Sequence, residues 1–406
     1  MSAALWWVLT ALAVLATLAN ALSLVQGFRL AGHVRRGLRT SFGAYAPRVA
    51  VILPVRGLDE GFDENLFSVL RQTYDSFRVL AVADDLSDPA LARIRELART
   101  LPQVRVDAML ADPTGTPGKV NALRTALTHV EPGDEVLVFA DADIRPGPDW
   151  LHQLVQPLAD VTVGVSTGFR WYVPSRASLW GLVRSEWNAV SANVLFDTRL
   201  NYAWGGSCAI RTEHLPRLCL EERWRDVLSD DLVLTQAVRS SGMNVVYSPA
   251  ALVPTFEDAD RATCVEWCDR QIAMASLYLP EVRRYAASAF AVFNGAVVLG
   301  VVALLLSALV SIDFLLPAAL FLVTLPATAA KAFLRRRAFF GGSREVQEAW
   351  TVPEWRTALA SLAVPWLMVV GLLRTRRLET VRWRGRTYDV RDPFRVHLVE
   401  SEPIPR

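Results

Sequence analysis

The sequence predicts an α/β domain with a mostly parallel sheet, set between apolar helices at the two ends of the chain. Three observations predict it. Apolar β-type runs alternate with amphipathic helical segments through the first half, the pattern of repeated strand–helix units with right-handed crossovers. Acidic residues stand directly after two of those runs and at one later helix start, as Asp84-Asp85, Asp141-Ala142-Asp143 and Asp230-Asp231. The 406-residue chain is 52% hydrophobic and 21% charged with a mean hydropathy of +0.25. Its apolar residues are clumped into blocks long enough to cross a bilayer.

The first block, Leu5 to Val25, is nearly uncharged over about 20 residues, the length a membrane span needs. No small-residue cleavage site follows it, so it reads as an anchor rather than a removed signal peptide. No Lys or Arg precedes it, whereas Arg29, His33, Arg35, Arg36 and Arg39 follow. The positive-inside rule then places the following domain in the cytoplasm.

Val49 to Pro54 reads as a buried strand, followed by the loop Arg56-Gly57-Leu58-Asp59. Asn65 to Gln72 is an amphipathic helix. Phe77 to Ala83 is a second strand that ends at Asp84-Asp85. Pro89 to Arg99 is a helix with Asp88 placed to cap it. Val104 to Met109 is a third strand. A turn-rich loop, Asp112 to Lys119, leads into a helix from Val120 to Leu127, and Glu135 to Ala140 is the next strand. Further on, Leu154 to Leu158 is helical, Thr162 to Phe169 a strand, and Leu179 to Phe196 a long helix. Ala203 to Ile210 is a glycine turn running into a strand. Asp230-Asp231 opens a helix, Val245 to Tyr247 is a short strand, and Cys264 to Leu279 is a helix carrying Trp267, Arg270 and Gln271.

Late apolar spans cover Ala289 to Leu309 and Phe314 to Ala330, the second followed by Arg335, Arg336 and Arg337. A shorter segment, Ala358 to Leu373, contains Pro365 and has arginines at both ends. It is expected to re-enter or lie at the interface. The cysteines, Cys208, Cys219, Cys264 and Cys268, are expected to be free, because a reducing compartment keeps them so. Cys264 and Cys268 lack a second pair at metal-binding spacing.

The strand ends carry the chemistry. In an open α/β sheet ligands bind beyond the carboxyl ends of the strands. Asp141 and Asp143 follow the apolar run Val136 to Phe139, and two hard oxygen ligands there suit Mg²⁺ or Mn²⁺ gripping a diphosphate. Alone, Asp-x-Asp also suits a plain strand-to-turn junction, since Asp turns and caps. Asp84-Asp85 fall at the same sheet edge, which favours a site. Neither GxGxxG after the first strand nor GxxxxGK[ST] is present, so a dinucleotide or P-loop fold is disfavoured. Net charge is +2, and no nucleic-acid partner is expected.

The order of motifs resembles lipid-directed and processive glycosyltransferases of the family-2 type with the GT-A fold. It is closer to the ceramide glucosyltransferase group, family 21, and its bacterial relatives, including those that glycosylate hopanoids. The likeness runs through Val51 to Gly57, Asp88-Pro89, Asp141 to Arg145, Gly205 to Cys208, Ser229 to Asp231, the late apolar spans, and Val381 to Tyr388. It implies donor contacts at Pro54 and Arg56, and at Asp85 near the base or ribose of a UDP-sugar. It implies a metal–diphosphate pair at Asp141 and Asp143, and a general base at Asp231 preceded by the acidic Asp230. Lys119 sits where the family has a lysine before the helix that precedes the Asp-x-Asp strand, a place from which a cation can face the diphosphate. The family's Gln/Arg-x-x-Arg-Trp element reads Trp267-Cys268-Asp269-Arg270-Gln271 here. Arg270 keeps its place for diphosphate contact, and Trp267 and Gln271 are left for the acceptor side. A missing tryptophan at 271 fits a lipid acceptor better than a growing sugar chain.

The resemblance therefore implies a multi-pass enzyme of the cell (inner) membrane with a cytoplasm-facing GT-A domain. It would be an inverting transferase that moves a hexose, glucose by the family's example, from a UDP-sugar to the hydroxyl of a lipid, with Mg²⁺ or Mn²⁺. Expected boundaries are an anchor over 1–28, the GT-A domain over 45–285, and C-terminal membrane segments with a basic membrane-proximal tail over 286–406. Competing readings are a polysaccharide synthase, a polyprenyl-phosphate glycosyltransferase and a non-catalytic scaffold. The late spans carry almost no ionisable residues, so no transport path is read in them.

Overall fold

The computed structural model describes residues 2–40 and 45–403. The outer limits of the expected first and last segments, residues 1 and 404–406, lie outside the described residues. In chain order the elements are α1 (Ser2–Gly37), β1 (Val49–Pro54), α2 (Phe62–Leu70), β2 (Phe77–Ala83), α3 (Pro89–Ala98), β3 (Arg105–Leu110), α4 (Lys119–Leu127), β4 (Val136–Ala140), α5 (Trp150–Val155), β5 (Val163–Tyr172), α6 (Leu179–Ser191) and β6 (Ser207–Arg211). Two single-turn helices, α7 (Leu215–Leu218) and α8 (Leu220–Arg223), precede α9 (Asp230–Ser240), β7 (Asn244–Thr255) and α10 (Arg261–Tyr278). The chain continues as α11 (Pro280–Leu309), α12 (Leu315–Leu322), α13 (Thr324–Phe340), α14 (Arg344–Ala349), α15 (Glu354–Arg374), β8 (Thr380–Trp383), β9 (Arg386–Asp389) and β10 (His397–Ser401).

The main sheet has seven strands in the order β3-β2-β1-β4-β6-β5-β7. All pair in parallel except β6, which runs antiparallel to both β4 and β5. Successive side chains of a strand face opposite ways. Val49, Val51 and Leu53 therefore pack into one core layer with α2, α3 and α5. Ala50 and Ile52 pack into the other, with α4 and α9. Both faces of β1 and β4 are covered, which is why they read as unbroken apolar runs. Asp88 caps α3 by accepting from Ala90 N at 2.9 Å, and it also accepts from Gly57 N at 3.0 Å.

The antiparallel β6 matters for function. Ser207 pairs opposite Ala140, so β6 starts where β4 ends. The Gly205-Gly206 turn that feeds it is thereby carried to the carboxyl edge of the parallel strands.

Four helical stretches, Ala3–Gly37, Pro280–Leu309, Ile312–Phe340 and Glu354–Arg377, are long and apolar enough to cross a membrane. The first is longer than the apolar run alone indicated. Some polar side chains inside this bundle bond to other members of it. Asn20 Nδ2 donates to Thr324 Oγ1 at 2.9 Å, and Thr17 Oγ1 donates to the Leu320 carbonyl at 2.9 Å.

The fourth stretch, read from the sequence as a re-entrant or interfacial segment, is helical. α15 is one continuous helix through Pro365, and the Pro365 carbonyl accepts from Asn294 Nδ2 at 3.0 Å. Its N-terminal end follows α14, which packs on β7. Its C-terminal end places Arg374 Nη1 3.3 Å from Asp269 on α10.

In the tail, β8, β9 and β10 form a separate antiparallel sheet. Val381, Tyr388, Val390 and Val396 pack it against Leu228 and Ala273 of the α/β domain. Alternating apolar positions give this segment one buried face, and the nearest apolar surface is the domain. All four cysteines are free, with Cys208, Cys264 and Cys268 buried.

Candidate active site

The carboxyl edge of the sheet opens into a cavity of about 670 Å³. Of the residues singled out in the sequence, Pro54, Arg56, Lys119, Asp141, Asp143, Asp230, Asp231, Trp267, Arg270 and Gln271 all line it. Asp85 does not. Its carboxylate turns outward and accepts from Ser87 N at 2.8 Å and Ser87 Oγ at 2.9 Å. Its neighbour Asp84 faces the cavity instead. The chain leaves β2 at Ala83 and turns at once, so only the first of the two carboxylates continues inward.

Asp141 and Asp143 converge on one point. Arg170 Nη2 lies 2.6 Å from Asp141 Oδ2 and 2.9 Å from Asp143 Oδ1, and its Nη1 donates to Asp143 Oδ2 at 3.1 Å. Arg170 comes from near the carboxyl end of β5, is 9% exposed, and its guanidinium also stacks 4.9 Å from the Trp204 ring centroid. Lys119, at the first position of α4, places Nζ 2.9 Å from Asp141 Oδ1 and 3.2 Å from Asp230 Oδ2. It also donates to the Gly205 carbonyl at 3.3 Å. Asp231 is held by three donors: Gly205 N at 3.1 Å on one oxygen, Ser229 Oγ at 2.6 Å and Leu232 N at 2.8 Å on the other.

Gly205 and Gly206 are required by close approach. A Cβ on Gly205 would lie 2.1 Å from Asp230 Oδ2, and one on Gly206 would lie 2.5 Å from Asp141 Oδ2. Only a bare backbone lets the β6 turn pass between these carboxylates.

The electrostatics follow from this packing. Burial opposes charge on Asp141, but Lys119 and Arg170 outweigh it and hold its pKa down at about 2. Burial raises Asp230 to about 7; Lys119 pulls against this, while Asp231 and Asp141 add to it. Two carboxylates of one site are thus pushed apart, an arrangement suited to acid–base work.

The C-terminal sheet forms a further wall. Trp383, Arg384, Arg386 and Tyr388 line the same cavity. Arg386 Nη1 lies 2.5 Å from Asp84 Oδ2, Arg384 Nη2 lies 2.9 Å from Asp59 Oδ2, and the Tyr388 hydroxyl donates to the Pro117 carbonyl at 2.9 Å. The Trp383 ring sits 5.6 Å from the Arg270 guanidinium. Position 271 being glutamine, an aromatic ring beside Arg270 comes from the tail. Trp267 packs edge-on against Tyr172 and Trp187 in the cavity wall.

Arg170, Asp59, Asp84 and the tail arginines had not been singled out as site residues. One signal was present for Arg170: a charged residue inside a ten-residue strand buried at every position.

Two carboxylates that already share one guanidinium nitrogen fit a divalent ion, which commonly takes one or two protein carboxylates together with phosphate oxygens and water. No group of three His, Cys, Asp or Glu side chains able to hold a metal occurs among the described residues. A diphosphate and water would therefore complete the coordination.

Residues 8–396 match the family model described as glycosyl transferase family 21, and the chain belongs to that family. It is a glycosyltransferase, and its mostly parallel α/β sheet is the architecture the resemblance led us to expect. Among solved structures it is similar to the mannosyltransferase PcManGT from Pyrobaculum calidifontis in complex with GDP-Man and Mn²⁺. Identity there is 23%, over 88% of this chain and 99% of that one, with a TM-score of 0.45. It is also similar to glucosyl-3-phosphoglycerate synthase from Mycobacterium tuberculosis in complex with Mn²⁺, UDP-glucose and glycerol 3-phosphate. That match has 17% identity over 61% and 81% of the two chains and a TM-score of 0.35.

Proposed function

We propose that this chain is a membrane-bound, inverting glycosyltransferase that moves a hexose, glucose in the first instance, from a UDP-sugar to the hydroxyl of a lipid such as a ceramide or hopanoid. The domain would face the cytoplasm at the cell (inner) membrane. The observation that carries this reading is the continuity of the cavity. It runs from Asp141, Asp143 and Asp231 to Phe290 and Phe293 of α11 and Val364, Pro365 and Met368 of α15. A charged end and an apolar end in one space suit a charged donor and an acyl- or ring-bearing acceptor.

In the reaction the acceptor oxygen attacks the anomeric carbon while the bond from that carbon to the diphosphate oxygen breaks. The electron pair stays on the departing diphosphate. The acceptor proton passes to a carboxylate, here Asp231, whose orientation is fixed by Ser229, Leu232 and Gly205. Attack from the face opposite the leaving group inverts the anomeric centre. Arg270 and Lys119 supply positive charge to the diphosphate. Asp141 and Asp143 would hold Mg²⁺ or Mn²⁺, which when bound neutralises the leaving group.

Asp230, raised to about 7, supports a second assignment of the base. Its contact with Lys119 argues that it holds that cation in place instead. The test is the purified chain in lipid nanodiscs with UDP-glucose and a lipid extract, products read by mass spectrometry. One hexose on an extractable lipid is expected. A polymer, or sugar on a polyprenyl phosphate, would overturn the acceptor assignment. Asp231→Asn should abolish turnover and keep UDP binding. Normal turnover in that variant, with loss in Asp230→Asn, would move the base to Asp230.

A further inference from the structure

The tip of the β8–β9 hairpin is the most unusual piece of backbone facing the cavity. Trp383 pairs with Arg386, leaving Arg384 and Gly385 as a two-residue turn. Their φ angles are 47° and 69°. Positive φ at both central residues is the I′ pattern, for which Asn-Gly is favoured, because a Cβ-bearing side chain is crowded in the left-handed region. Arginine is a poor choice on local grounds. Non-glycine residues held in this region cluster where the side chain has a task.

The Arg384 side chain lines the cleft and remains partly open to solvent, 38% exposed. Nη2 lies 2.9 Å from Asp59 Oδ2 and Nη1 donates to the Arg56 carbonyl at 3.3 Å. Arg56 returns the contact, Nε donating to the Arg384 carbonyl at 3.2 Å. Two acceptors leave further N–H groups of the five-donor fork free. Burial works against its charge, but Asp59, Asp143 and Asp141 more than offset this and raise its pKa. The tail is also pinned, by Arg386 on Asp84, Tyr388 on Pro117, and Arg56 Nη2 on the Glu402 carbonyl at 3.1 Å. The arginine is therefore held in position before any ligand arrives.

We propose that Arg384 is a donor-binding residue whose guanidinium contacts the diphosphate of the nucleotide sugar, so that the C-terminal sheet completes the donor site. The proposal rests on the reading of the donor as a nucleoside diphosphate sugar. A planar fork matches two phosphate oxygens. Its neighbours Asp141 and Asp143 are the carboxylates that would approach the same diphosphate through the ion. A separate anchoring role for the tail would not explain an arginine at a turn position that asparagine fills better.

The test is titration calorimetry of the full chain in detergent with Mn²⁺, using UDP and UMP as probes, for wild type, Arg384→Asn and Arg384→Lys. Asparagine suits the turn, so the hairpin should hold. The proposal expects the preference for UDP over UMP to fall at least tenfold in Arg384→Asn, with UMP affinity unchanged within twofold. Arg384→Lys, with the charge but not the fork, should recover part of the loss. A preference that falls less than this overturns the proposal. So does an equal weakening of UDP and UMP, which would mean the cleft had lost its shape. Wild-type protein that binds neither UDP nor GDP would instead overturn the nucleotide-sugar reading beneath it, and the proposal with it.

Discussion

Lys119 Nζ lies 2.9 Å from Asp141 Oδ1, so the first residue of α4 neutralises the carboxylate at the end of β4. The same ammonium is 3.2 Å from Asp230. One cation thus holds two acidic clusters that are far apart in sequence. Removing it leaves the buried Asp230 without this cation and Asp141 with Arg170 alone.

Lys119→Met is expected to destabilise the fold by about 3 kcal/mol, the scale for breaking a buried ion pair from one side. Adding Asp230→Asn should return part of that loss, because contacting residues couple by about 0.5–3 kcal/mol. Thermal unfolding of the four proteins of this cycle in detergent measures it. Additive losses would show that Lys119 and Asp230 are not paired in solution.

The raised pKa of Asp230 has a signed consequence. Between its ordinary value of 3.8 and about 7, the folded chain holds a proton there that the unfolded chain has lost. Stability must then fall through this group as pH rises across that window. With EDTA present, the wild-type melting temperature should decline more steeply from pH 5 to 7 than that of Asp230→Asn. Parallel curves would remove the shift.

Asp84 and Asp85 make a sharp pair. Asp84 lines the cavity and binds Arg386, whereas Asp85 bonds only Ser87. Asp84→Asn should weaken UDP binding about tenfold and loosen the tail against limited proteolysis. Asp85→Ala should leave both unchanged, with a stability change within about 0.5 kcal/mol. The reverse result would restore the role expected of Asp85 from the sequence.

Arg170 occupies the point between Asp141 and Asp143 where a divalent ion fits. Removing a like charge from that point should favour a cation. Arg170→Gln is expected to bind Mn²⁺ about tenfold more tightly without nucleotide, read by electron paramagnetic resonance of free Mn²⁺. Asp143→Asn should abolish the gain. Weaker Mn²⁺ binding in Arg170→Gln would mean the arginine orients the carboxylates for the ion.

The strand limits of β1 and β2 and the capped start of α3 were legible in the sequence, because burial on both faces and a capping carboxylate leave local marks. The acidic strand ends were legible for the same reason: the sheet edge is where an apolar run stops. Asp85 was misplaced because two identical carboxylates in a row carry no sign of which one the turn sends inward. β7 is longer than its apolar core implied, running from Asn244 through Pro249 and Pro254 to Thr255. Both prolines lie inside it, and its pairing with β5 carries it on through a register shift.

By itself the sequence determined where most strands of the α/β domain lie, which helices are apolar enough for a membrane, and that carboxylates gather at one edge of a sheet. Periodicity and strand-end chemistry are properties of neighbours in the chain, so they can be read there. Tertiary structure alone decided that β6 runs backward to bring Gly205 and Gly206 against Asp230 and Asp141, that Arg170 stands between the paired aspartates, and that the tail closes over the cleft through Arg384 and Arg386. Those arrangements are fixed by which distant surfaces bury each other and which distant charges must be neutralised, and no local pattern encodes either.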